Sequence, residues 1–203
     1  VDVPLPYPVE TSQPRLWVVR HGETTWAAAG RHTGRTDVPL TEAGRQQARA
    51  IGPRLAGHRF GAIVSSPLSR ALETARLAGF GAEVVTDDDL MEWDYGADEG
   101  RTTAEIDAER PGWRIWRDGP LGGEAIAALG DRADRVIAGV RARTGDTLCF
   151  AHGHILRVVA ARWIGLAPQA GALFALDTAT ISILGREHGT AVISHWNDAE
   201  RLD

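Results

Sequence analysis

Two histidines, two arginines and one carboxylate stand where they could act on an anionic substrate. His21 lies in Arg20-His21-Gly22-Glu23, directly after the apolar run at residues 16–19. His152 follows a second apolar run, residues 147–151, and is itself followed by Gly153 and His154. Arg70 opens a helical stretch after a third run at residues 61–65, and Glu92 comes shortly after residues 83–86. Arginine forks match phosphate oxygens and stay charged at any working pH. A neutral imidazole can attack phosphorus and hold the phosphoryl group covalently. A second imidazole, protonated, would donate to the equatorial oxygens as charge redistributes. A protonated carboxyl can hand its proton to a leaving alkoxide and later, as carboxylate, activate water. Gly22 and Gly153 leave room for backbone beside a ligand, and a helix starting after His152 would aim its N-terminus at an anion.

Taken singly, each residue has an ordinary alternative. A histidine after a strand can be a hydrogen-bonded structural residue, and an arginine in a helix can be a surface charge. Glu92, near Asp87, Asp88, Asp89 and Asp94, can be one solvated acid among several. Joint placement is what distinguishes them, and that depends on the elements that carry them. The pattern predicts strands at residues 16–19, 61–65, 83–86 and 147–151, with two more at 180–184 and 191–194. It predicts helices at residues 41–56 with Thr41 as N-cap, 67–78 with a proline in the first turn, 124–143 and 155–164. Strands alternating with helices imply a three-layer α/β/α sandwich with a mostly parallel central sheet. In such sheets ligands sit outside the carboxyl ends of the strands, where Arg20, His21, Arg70, Glu92 and His152 all fall. Residues 91–121, rich in Trp, Gly, Asp and Glu, read as a lid-like insertion with a short helix at 103–109. Trp93, Trp113 and Trp116 are expected to pack it; the same rings could wall a pocket.

Composition narrows the class. The chain has 203 residues, 43% of them hydrophobic, enough for one domain with a real core. Residues 1–14, with prolines at 4, 6, 8 and 14, read as an extended arm with no signal-peptide pattern, and 15–203 as the single domain. No apolar run reaches the roughly 18 residues of a membrane span. A net charge of −5 argues against nucleic acid as a partner but leaves room for a small anionic substrate beside clustered arginines. The one cysteine, Cys149, sits in an apolar run, which suits a buried structural thiol and a cytoplasmic setting.

The motifs together resemble the histidine phosphatase (phosphoglycerate mutase-like) superfamily. The matching pieces are RHGET from Arg20, HTGRTDVPLTEAGR from His32, SSPLSRALETA from Ser65, LMEWDYG from Leu90 and AHGH from Ala151. The likeness spans roughly residues 15–185. It implies that His21 is the phosphorylated nucleophile, that Arg20, His21, Arg70 and His152 form the phosphate pocket, and that Glu92 is the proton donor. Thr33, Gly34 and Gly153 match further substrate contacts, and the resemblance implies neither metal nor cofactor. Within the superfamily, the EWDYG and IWRDG stretches and the run from Phe150 to Arg157 are most similar to small acid phosphatases and sedoheptulose bisphosphatase-like members. The expected activity is therefore a phosphomonoesterase acting on a small, sugar-derived phosphate. The alternative is a cofactor-dependent phosphoglycerate mutase-type phosphotransferase, disfavoured because no lysine stands in the region after Glu92.

Some positions depart from the pattern. Ala27 replaces an asparagine that touches phosphate, with Thr33 as the compensating contact; Asp98 replaces an aromatic, and Ala125 a hydroxyl residue. For the organic part of the substrate the candidates are His32, Arg35, Trp93, Tyr95, Arg117 and His154. A second cationic subsite for a bisphosphate would draw on Arg35, Arg114 and Arg117. Two other classes compete: a metallohydrolase using His152 and His154 with nearby aspartates, and a phosphate-recognising scaffold without catalysis. A homodimer is expected to be compatible with the fold.

Overall fold

A computed structural model describes residues 13–199; of the arm expected at residues 1–14, only Gln13 and Pro14 fall within it. In chain order the elements are β1 (Leu16–Arg20), α1 (Thr25–Ala28), α2 (Glu42–Leu55), β2 (Ala62–Ser65), α3 (Ser69–Leu77), β3 (Val85–Thr86), α4 (Thr103–Glu109), α5 (Ile115–Asp118), α6 (Ile126–Arg141), β4 (Thr147–Ala151), α7 (Gly153–Trp163), β5 (Ile181–Glu187) and β6 (Thr190–Asp198). The sheet runs β3-β2-β4-β1-β5-β6. β3, β2, β4 and β1 are parallel, and β5 and β6 add an antiparallel edge.

β4 lies inside the sheet, and all five of its residues are buried, as a continuous apolar run requires when both faces are covered. Alternation along the strands divides the core in two. Leu16, Val18, Cys149 and Ala151 point to one face with residues of α6 and α7, among them Val136, Val140, Leu156 and Val159. Val19, Leu148 and Phe150 point to the other, against Ile51 and Leu55 of α2 and Ala75 of α3. That is the three-layer sandwich expected from the alternation of periods. β5 and β6 meet through a two-residue turn whose His188 and Gly189 both have positive φ (48° and 79°), the geometry that matches strand twist.

The element boundaries differ from expectation for local reasons. β3 shrinks to two exposed residues at the sheet edge, where only β2 pairs with it. α3 begins at Ser69, not residue 67, because Asp37 from a distant loop accepts from Ser69 N–H and Oγ–H (2.9 and 2.8 Å). α1 and α5, one turn each, have no apolar periodicity to announce them. Thr41 caps α2 as expected, accepting from Gly44 N–H at 2.9 Å. Ala125, in contrast, leaves α6 with no side-chain cap. The 91–121 segment packs through its rings: Trp93 and Trp113 are buried in the α6–α7 core.

Candidate active site

The register of β1 against β4 creates the site. Arg20 pairs with Ala151, and His21 N–H donates to Ala151 O at 3.0 Å, so the residue after each strand lies beside the other. The imidazoles of His21 and His152 consequently sit with ring centroids 5.1 Å apart, although the chain between them contains most of the fold. A cavity of about 200 Å³ opens there, lined by Arg20, His21, Thr33, Glu92 and Gly153 among others. A wider groove of about 900 Å³ lies elsewhere, between α2 and the end of β6 past Ile51 and Asp198, and holds none of these groups.

His21 is buried, and its Nδ1 lies 2.7 Å from Gly22 O. A carbonyl can only accept, so Nδ1 carries the proton and Nε2 keeps its lone pair. Burial, then the charges of Arg70 and Arg20, hold this histidine well below the usual imidazole range, so it is neutral at pH 7. A tight approach fixes its backbone. A Cβ on Gly22 would lie 2.3 Å from Gly44 O, and one on Gly44 would lie 2.1 Å from Glu23 O. The glycine after His21 therefore serves the seating of α2 against the loop, not a ligand as the sequence suggested. From behind, Ala179 N–H donates to both Arg20 O and His21 O (3.0 and 3.2 Å), and it does so from a left-handed conformation (φ 57°).

Arg20 donates from Nη1 to Leu176 O, but its buried Nε has no partner among the described residues. The guanidinium lies against Gly153, where a Cβ would sit 3.5 Å from Nε. Arg70 is fully buried. Its Nε donates to His152 Nδ1 (3.1 Å), Nη1 to Thr36 O (2.9 Å), and Nη2 to Thr33 O and Gly34 O (3.2 and 2.8 Å). Neither arginine has a carboxylate within ion-pair distance among the described residues, and burial lowers both from the ordinary arginine value. Two cations without a counter-ion, one of them with an orphan N–H, make a strong anion site.

His152 accepts from Arg70 at Nδ1, so its proton is on Nε2, which donates to Ser66 Oγ at 2.7 Å. Burial, then Arg70, His21 and Arg20, hold it well below the usual range. The expectation of a protonated His152 facing the substrate is corrected for this state: the ring is neutral, with both nitrogens committed inside the protein. Glu92 occupies the start of α7. Its Oε2 accepts from His154 N–H (2.9 Å), and its Oε1 from Ile155 N–H and Trp93 N–H (both 2.9 Å). The side chain's two oxygens thus take much of the helix N-terminus expected for the substrate anion. Gly153 N–H, one residue earlier, keeps no protein partner among the described residues and lines the cavity.

Thr33 and Ala27 both line the cavity, whereas Gly34 lies behind Arg70, where its carbonyl orients the guanidinium. His32, Tyr95 and His154 reach the cavity; Trp93 is core. Arg35 turns to Met91 Sδ, and exposed Arg114 and Arg117 pair with Asp107 and Asp118, so the second cationic subsite expected from these three does not form. Sequence reasoning missed the supports. Glu99 accepts from Gly34 and Thr36 N–H, holding the loop whose carbonyls grip Arg70. Arg132 donates to Asp89, Met91 and Glu92 carbonyls while paired with Glu124 (2.7 Å), which fixes the loop bearing Glu92. Glu99 and Glu124 each sit beside a glycine in the sequence, which is a weak signal; carbonyl acceptors leave none.

His152 and His154 turn to different partners, Ser66 and Tyr95. Among the described residues no group of three or more His, Cys, Asp or Glu side chains is arranged to hold a metal ion. No described helix is long and apolar enough to cross a membrane.

Comparison with known proteins agrees with this geometry. The chain is 44% identical over 179 residues to an acid phosphatase of Mycobacterium tuberculosis, covering 86% of this chain and 88% of that one. It is 39% identical over 189 residues to sedoheptulose 1,7-bisphosphatase of Saccharomyces cerevisiae, covering 77% and 69%. The solved structure of a Mycobacterium tuberculosis open reading frame product superposes with a TM-score of 0.85 at 40% identity, covering 91% and 97%. The model of the histidine phosphatase superfamily (branch 1) matches residues 16–199. A neutral histidine with a free Nε2 between unpaired arginines is the centre such an enzyme needs, and the chain belongs to the histidine phosphatase superfamily, branch 1, as a phosphatase.

Proposed function

We propose that the protein is a metal-independent phosphomonoesterase for small sugar phosphates that works through a phosphohistidine on His21. The observation that carries this reading is the His21 tautomer. Gly22 O holds Nδ1–H, so the Nε2 lone pair is free, and His21 lines the cavity together with Arg20, whose buried Nε–H has no partner among the described residues.

In the first step Nε2 attacks phosphorus and the P–O bond to the organic group breaks. The leaving alkoxide takes a proton from Glu92, and the phosphoryl group stays on His21. In the second step Glu92, now carboxylate, removes a proton from water. The hydroxide attacks phosphorus, the P–N bond breaks, and inorganic phosphate leaves with His21 neutral again. Arg20 and Gly153 N–H bind the phosphoryl oxygens, and Arg70 adds its charge from behind. His152 stays neutral and acts on the phosphoryl group through Arg70, whose Nε–H it accepts at Nδ1.

Cys149 is fully buried, and burial pushes its thiol up, so it stays unreactive; this supports the cytoplasmic placement we propose. A homodimer is the proposed assembly, with exposed Val85 on the edge strand and Leu173 as apolar surface. Sedimentation at micromolar concentration distinguishes it from a monomer.

The activity is tested by mass balance over a panel of sugar phosphates and phosphoglycerates, with excess chelator. Inorganic phosphate equal to substrate consumed, unaffected by chelator, supports hydrolysis. Phosphate recovered on a second organic acceptor would instead mean mutase-type transfer. Loss of activity in chelator would mean a metal, and binding without turnover a scaffold.

A further inference from the structure

Two peptide groups follow His21, and its reactivity depends on the second. The first, between His21 and Gly22, is held at both ends. His21 O accepts from Ala179 N–H (3.2 Å), and Gly22 N–H donates to Thr74 Oγ1 (3.1 Å), whose hydroxyl donates to Arg70 O (2.7 Å). The second, between Gly22 and Glu23, supplies the carbonyl that accepts Nδ1–H of His21 and so leaves Nε2 as the nucleophile. Its N–H has one partner among the described residues, Oε1 of Gln47 at 2.9 Å.

Planarity links the two ends of that peptide. A trans peptide points its C=O and its N–H in opposite directions. Gln47, by drawing Glu23 N–H to one side, therefore aims Gly22 O at the imidazole on the other. A backbone N–H can only donate, so Gln47 faces it with its carbonyl oxygen.

The sequence builds this grip on one side of α2. Thr41, Gly44 and Gln47 recur at intervals of three, which turns them toward the same loop. Thr41 N–H donates to Glu23 O (2.9 Å), Gly44 lets the backbones meet, since a Cβ there would lie 2.8 Å from Glu23 N, and Gln47 takes the N–H. The core contacts of this stretch come from Ala48 and Ile51, both buried, whereas Gln47 is half-buried and lines the wide groove between α2 and the end of β6. Helix packing thus makes no demand for an amide at this position; the loop does.

We propose that Gln47 is a positioning residue for catalysis: by anchoring the Gly22–Glu23 peptide it keeps the Gly22 carbonyl on Nδ1–H and the proton off Nε2. A catalytic imidazole needs a further group to fix its tautomer. Here that group is a backbone carbonyl, and Gln47 is the side chain that orients it. The proposal rests on the phosphatase reading above and on His21 as its nucleophile.

The test compares wild type with Gln47→Met, which keeps length and helix propensity but removes the oxygen acceptor, and Gln47→Glu, which restores one. Nitrogen-15 NMR of the histidine rings, with the His21 signals assigned by their loss in His21→Gln, reads the tautomer. Rapid quench with p-nitrophenyl phosphate reads the rate of phosphohistidine formation. In Gln47→Met a share of His21 should carry its proton on Nε2, and phosphorylation rate and kcat should fall by about tenfold with KM within about twofold of wild type. Gln47→Glu should recover the wild-type tautomer and a kcat within about threefold of wild type. An unchanged tautomer or unchanged turnover in Gln47→Met would overturn the proposal. So would a loss confined to KM, or equal impairment in Gln47→Glu. A wild type that forms no phosphohistidine and releases no phosphate would overturn the phosphatase reading instead.

Discussion

At the residue scale the site depends on groups whose protonation is set by burial. His21 is held below its ordinary range, so it remains a free base where a solvent-exposed histidine would be protonated. On p-nitrophenyl phosphate the acid limb of kcat/KM due to nucleophile protonation should consequently lie below pH 6.5. A limb centred at 6.5 or above would mean that His21 is not neutralised by its surroundings. Glu92→Gln keeps the shape and one of the two acceptor oxygens but cannot donate to an alkoxide. It should slow alkyl phosphates by tenfold or more beyond its effect on activated aryl phosphates, whose leaving groups need little proton; equal losses would remove the acid role. The types and strand-end positions of Arg20, His21, Arg70, Glu92 and His152 made them legible in the sequence. What Arg70 binds was not legible, because Thr33, Gly34 and Thr36 contribute only carbonyls, which every residue has.

At the element scale, geometry comes from close backbone contacts and helix ends. Gly22→Ala would place a methyl 2.3 Å from Gly44 O and must push α2 away, a cost of about 1–3 kcal/mol by overpacking. Urea unfolding should show that loss together with reduced turnover, whereas wild-type stability would mean that the loop yields freely. α6 offers the opposite change. Ala125→Ser supplies the missing cap and should raise stability by about 1 kcal/mol in the same assay; no gain would mean that the uncapped end is already satisfied. The helices and strands with clean periods were readable to within a few residues. α3 was misplaced because its true cap, Asp37, comes from outside the local sequence. The left-handed Ala179 behind His21 was invisible because alanine carries no turn signal.

Across the whole molecule, the buried histidines couple catalysis to stability. His21, His152 and His154 are each held well below 6.5 in the folded chain, burial being the first cause in all three. Above pH 6.5 folded and unfolded states are alike neutral at these groups, and the folded state is fully favoured. Below it the unfolded chain takes up protons that the folded one refuses, so stability falls by about 1.4 kcal/mol per pH unit for each histidine. Between pH 7.5 and 5.5 the three should lower unfolding free energy by up to about 4 kcal/mol, read from urea midpoints; an unchanged midpoint would mean that they titrate normally. The three-layer architecture was legible from alternating periods. The engagement of Arg35, Arg114 and Arg117 was not, because it requires knowing which side chains already have partners.

The central claim is that His21 Nε2 carries the phosphoryl group. Rapid-quench labelling with a radioactive phosphate ester tests it most directly. The wild-type protein should trap up to one equivalent of acid-labile, base-stable phosphate on His21, and His21→Ala should trap none and lose turnover. Full turnover in His21→Ala, or label on another residue, would contradict it.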